Sequence, residues 1–209
     1  MSEKKVFVIA AEVAAELNKG MVIAKRLLLI ASNARALALR AGESAAGFRP
    51  ITDSIDDLVR KTLDTSKVIN QKAQLLSRIA TSETRSSSAL TKFNNVICRD
   101  TDARYIESLA PSITQTREQH AQLITQFKKE ARGLNDMLDE LYSELKTAQI
   151  ISTMLSVEAS QAEELHQEQL NSIATSVADS AKEIQSHVLQ SLNLFSELTR
   201  VVYANKSAV

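Results

Sequence analysis

The residues of this 209-residue chain whose types could do chemistry are three histidines, one cysteine and a few carboxylate clusters. His120, His166 and His187 lie far apart and form no i, i+4 pair, so they offer no metal-ligand spacing. His120 falls on an apolar stripe, the place of a core or edge histidine. A phospho-accepting histidine on a kinase bundle would be followed directly by an acidic residue, and here Ala121, Gln167 and Val188 follow. Cys98 is the sole cysteine, so no intramolecular disulfide can form, and a reducing compartment is the natural expectation. No histidine lies near it in sequence, and it reads as a small residue packed near a helix end. The carboxylates of "DMLDELYSE" and "SIDDLV" read as solvated faces. The chain has no Gly-rich phosphate loop, no Cys–His pair and no nucleophile elbow. These residues therefore nominate no catalytic site, no metal site and no cofactor, and an enzyme is not expected.

Composition points to the elements that would carry any other function. Four Gly, two Pro and no Trp leave few turn residues for a sheet-based fold, whereas Ala, Leu, Ser, Glu, Lys and Gln abound. Such a chain suits long helices with apolar stripes. Twenty-five basic residues balance 25 acidic ones, so no basic field marks a nucleic-acid binder. The most apolar stretch, "MVIAKRLLLIA", is interrupted by Lys25 and Arg26 and is shorter than the roughly 20 residues of a membrane span. The N-terminal apolar patch is broken by Glu12 and Glu16, and no signal peptide is read. A cytoplasmic protein without a membrane span is the expectation.

Four stripes can be traced. The first runs Val6, Ile9, Val13, Gly20, Ile23, Leu27, Ile30, Ala34, Leu37 and Ala41, with Glu16 as its one polar intruder. Ser2 can cap it. The second starts after Gly47, with Pro50 in its first turn, and runs from Ile51 to Ile97, interrupted by Lys72 and Glu83. The Ser-rich "SETRSSSA" marks a candidate for fraying or a local bend. A turn is expected between about residues 98 and 110, with Ser108 as a cap and Pro111 in the first turn of the third helix. The third stripe runs from Ile113 to Glu158 and the fourth from Leu170 to Val202, with a turn expected at 163–167. Helices of about 40, 50, 50 and 40 residues joined by short turns predict an all-α, antiparallel four-helix bundle in up-down-up-down order. The halves are a hairpin over 1–98, with its tip at 42–48, and a second hairpin over 99–209 that completes one continuous domain.

Half of the chain's glycines, Gly42 and Gly47, sit together in "NARALALRAGESAAGFRPITDSIDDL". A helix reversing in a few residues needs positions free of Cβ crowding or open to positive φ, and glycine supplies both. The same stretch resembles the signalling hairpin tip of bacterial chemoreceptors, the methyl-accepting chemotaxis proteins. Asn33, Ala34, Ala38, Arg40, Ala41, Gly42, Glu43, Gly47, Phe48, Ile55 and Leu58 match that family's pattern without a gap, over about residues 27 to 60. The resemblance implies a chemotaxis-type signalling or adaptor protein working through its tip. Its partners would be a chemotaxis coupling protein, a histidine kinase or chemoreceptors themselves. By position, Asn33, Arg40 and Glu43 would be polar tip contacts, and Phe48 and Ile51 apolar ones, around Gly42 and Gly47. The chain departs from the pattern at Leu37, where the family has glutamate, at Arg35, and at Arg49 to Thr52. The departures at Leu37 and at Arg49–Pro50 would alter a partner interface.

The segment "VEASQAEE" at 157–164 is similar to the same tip motif, with Glu158 standing where Leu37 lacks the glutamate. A duplicated hairpin would make the chain a monomeric mimic of a receptor dimer, as against a homodimer of first hairpins. The competing expectation for the whole chain is a structural coiled-coil interaction protein with no role in a kinase pathway.

Overall fold

A computed structural model describes residues 2–99 and 106–204, apart from the side chains of residues 2–7, 44, 45, 165 and 198–204. The described residues form α1 (Ser2–Ala41), α2 (Phe48–Arg99), α3 (Ala110–Leu145), α4 (Thr147–Gln161) and α5 (Glu164–Ala204), with short 3-10 turns at Gly42–Ala45 and Ile106–Leu109. α1 packs against α2 and α5, α2 against α3, and α4 against α5. α3 and α4 run on as one arm, so the chain closes an antiparallel four-helix bundle in up-down-up-down order. α1 and the α3–α4 arm therefore occupy diagonally opposite corners.

The stripes become the core. Along α1, Val13, Ile23, Leu27 and Ala34 of the first stripe are buried together with the row beside it, Leu17, Ala24, Ala31 and Ala38, whereas Ile9, Ile30, Leu37 and Ala41 are half-buried. Along α5 the buried row is Leu170, Val177, Ile184, Val188 and Phe195. On the α3–α4 arm the buried row is Leu134, Leu138, Leu141, Leu145, Ala148, Leu155 and Ala159. Met137, Ile151 and Glu158, where the expected stripe ends, lie half-buried at the edge of that row. Each fully buried Leu stabilises by about 1.5–3 kcal/mol. Alanine on α1 lets the neighbouring backbones approach.

The polar intruders of the stripes turn out to be cross-helix pairs. Glu16 of α1 meets His187 of α5 at 2.7 Å, and Lys19 at 2.6 Å on its own helix. Lys72 of α2 meets Glu130 of α3 at 3.0 Å, and Glu83 meets His120 at 3.0 Å. Lys61 pairs with Glu144 further along the same seam, which holds the Lys61 ammonium above its ordinary pKa. A polar group inside a heptad seam favours the one register that supplies its partner. The Glu16–His187, Lys72–Glu130 and Glu83–His120 pairs thus favour one register of each helix against the next.

The local boundaries bring corrections. "SETRSSSA" does not interrupt the helix: α2 continues through it to Arg99, with Ser86 buried and Thr81 and Thr84 bonding back to the carbonyls of Ser77 and Ala80. The interruption falls instead at Lys146, where the Lys146 N–H donates to Ser143 O and the Gln149 N–H to Lys146 O. The Thr147 hydroxyl also bonds Glu144 O at 2.6 Å, and such side-chain competition tightens a helical turn. Pro111 stands in the first turn of α3, but its cap position is Leu109 rather than Ser108. The last turn is tighter and earlier than 163–167, since α4 ends at Gln161 and α5 starts at Glu164. Cys98 is exposed, not packed. The proposed Ser2 cap lies outside the described side chains.

Candidate functional site

The α1–α2 reversal divides its requirements between the two glycines. Gly42 has φ of 66°, the left-handed conformation that ends an α-helix. Nothing lies within 4 Å of where its Cβ would stand. Gly47 has no such φ, and a Cβ there would meet the Glu158 carboxylate of α4, the far end of a flexible side chain. The Ala46 N–H donates to Glu43 O at 3.2 Å and closes the turn. Phe48 then begins α2, with Pro50 in its first turn.

Glu158 therefore reaches from the second hairpin to the start of α2, where the helix dipole favours a negative group. The two hairpin turns stand at the same end of the bundle, joined by this side chain. The second turn has a different build. Ala162 is extended, with φ −71° and ψ 161°, and the Ala162 N–H donates to Ala159 O. Glu163 O accepts from the N–H groups of His166 and Gln167.

Of the residues assigned to the tip, Asn33, Arg40, Gly42 and Glu43 are exposed. Leu37 is half-buried and packs on the core. Phe48 and Ile51, expected as apolar contacts for a partner, are 0% and 5% exposed and belong to the core. An aromatic side chain directly after a reversal can fold under it, and Phe48 does so, so it supports the apex from inside. Of the residues assigned to the tip, the polar ones are thus exposed and the large apolar ones are not, while Leu39, just before Arg40, is 54% exposed.

Arg35, a departure from the receptor pattern, has a defined task. It bonds Asp56 at 2.8 Å and also pairs with Asp53, both on α2. Asp56, and secondarily Asp53, hold its guanidinium above the ordinary arginine value. This fork ties α1 to α2 two turns below the reversal. The signal was available in the sequence, since "SIDDLV" and its neighbour Asp53 face Arg35 once the hairpin is closed. Among the described residues no group of three or more His, Cys, Asp or Glu is placed to hold a metal ion. A cavity between α1, α2 and α5 is lined by the apolar side chains of Ala10, Val13, Ala73, Leu76 and Phe195. No described helix is long and apolar enough to cross a membrane.

No protein-family model, curated protein or solved structure matches the chain.

The different roles of the glycines predict different costs. Gly42→Ala must place a Cβ in the left-handed region and should lose about 1–2 kcal/mol. Gly47→Ala displaces only the end of a flexible side chain and should lose less than about 1 kcal/mol. Urea unfolding of the two variants checks the order.

Proposed function

We propose that this protein is a chemoreceptor-like signalling or adaptor protein, without enzymatic activity, that acts through contacts at its Gly42–Gly47 apex. The observation that carries this reading is the apex itself. A left-handed Gly42 ends the helix, and Asn33, Arg40 and Glu43 stand exposed around it. These are residues through which the resemblance to chemoreceptor tips runs. The partners that fit the reading are a chemotaxis coupling protein, a histidine kinase or chemoreceptors, in a cytoplasmic signalling assembly. The second turn at the same end supports a single-chain counterpart of a two-hairpin receptor tip.

The test is capture of purified chemotaxis coupling protein by the full chain. Arg40→Ala with Glu43→Ala should reduce capture at least tenfold and leave the melting temperature unchanged, because both side chains are exposed. The burial of Phe48 and Ile51 favours a second reading, a structural coiled-coil protein whose apex is only a turn. Capture that is absent, or equal in wild type and variant, selects the second reading.

A further inference from the structure

Beyond the apex, the sides of the bundle carry apolar side chains that its own core does not use. On α1, Val8, Ala15, Val22, Leu29 and Ala36 recur every seven residues, and all five are exposed. Val22 and Leu29 are 62% and 67% exposed. A seven-residue apolar row on a helix is the pattern of a helix–helix seam. On α4, Ile150, Met154 and Val157 form one exposed face, at 63%, 50% and 52%.

The two faces stand at equal height on opposite sides of the molecule. Gly20 touches Ile184 and His187 of α5, and Ser152 bonds Ala174 of α5. Counting along the antiparallel helices from these contacts brings Leu29 and Ile150 level with the same turn of α5. α1 and α4 run in the same direction at diagonal corners, so their outer faces look away from each other.

Their charges are opposite. From Val8 to Gly42 the acidic residues of α1 are Glu12, which is exposed, and Glu16, which is buried, while Lys19, Lys25, Arg26 and Arg40 are exposed and Arg26 bonds Glu183 of α5 at 3.3 Å. On the other arm, Asp136, Asp139, Glu140, Glu163 and Glu164 are exposed, and Lys146 is the one basic residue from 133 to 164. A second α1 would repel the basic face, whereas the acidic arm complements it.

We infer that the occupant of the α1 face is the α3–α4 arm of a second copy of this chain. The contact is heterologous: one copy gives its basic side, the next its acidic side, with Leu29 beside Ile150 and Lys19 beside Glu140. Heterologous contacts between faces that look in opposite directions extend into open rows, and do not stop at a dimer. In such a row every apex points the same way.

Sedimentation of the full chain over a concentration series tests this. The weight-average mass should rise steadily past that of a dimer. Val22→Gln with Leu29→Gln removes one face, and Ile150→Gln with Val157→Gln removes the other. Each variant alone should remain monomeric, and an equimolar mixture should stop at a one-to-one dimer. All four positions are exposed, so circular dichroism should show folded bundles. Asp139→Asn with Glu140→Gln, on the surface only, should weaken assembly several-fold. A wild-type chain of constant monomer mass overturns the inference. So does a closed dimer, or growth that survives either double variant.

Discussion

Phe48→Ala should lower the unfolding free energy by about 3–5 kcal/mol, measured by urea denaturation of the full chain. Phe48 is 0% exposed and begins α2 immediately after the reversal, among core residues of the same end of the bundle. Truncation removes its transfer free energy and leaves a cavity. A helix terminus closed by a glycine turn has little freedom to collapse into that space. Were Phe48 a partner-facing residue, the loss would stay within about 0.5 kcal/mol, the range of surface substitutions. Paired with the harmless Arg40 and Glu43 substitutions, the result separates the residues that build the apex from those exposed on it.

The second large effect concerns the polar seam. Glu16→Leu should destabilise by about 2 kcal/mol, because it strips His187 of its acceptor in a half-buried site. The added substitution His187→Leu should recover much of that loss, since replacing both members of a buried pair by apolar residues costs little. Acid titration gives an independent check. Lys19 first, then His187, hold the Glu16 carboxyl below the ordinary value of 4.5. A carboxyl lowered on folding contributes stability above its unfolded pKa, and that contribution fades as pH falls through the lower native value. The double variant should therefore show a shallower loss of stability below about pH 4.5 than the wild type.

These two sites also show how much of the fold was legible. The low glycine count, the stripes and the Gly42–Gly47 pair identify four helices, their order and the first reversal, because helix length and apolar period are local properties. Glu16, Lys72 and Glu83 read only as blemishes, since the residues that answer them lie on other helices, far along the chain. The step at Lys146 carries no Gly or Pro, and its apolar spacing continues unbroken, so periodicity gives no sign of a shift from one hydrogen-bond step to a shorter one. At the apex, composition identified the turn, but not that Phe48 would fold beneath it. Arg35 looked like a departure from a pattern until the closed hairpin brought Asp53 and Asp56 to it.

The unlike build of the two turns has a consequence for valency. A symmetric pair of hairpins offers each docking feature twice, and a ligand protein can occupy both. Here the glycine reversal occurs once, beside an acidic turn of other geometry with Glu158 wedged between them. Any protein that recognises the glycine reversal meets a monovalent target with a built-in handedness, and its titration saturates at one equivalent per chain.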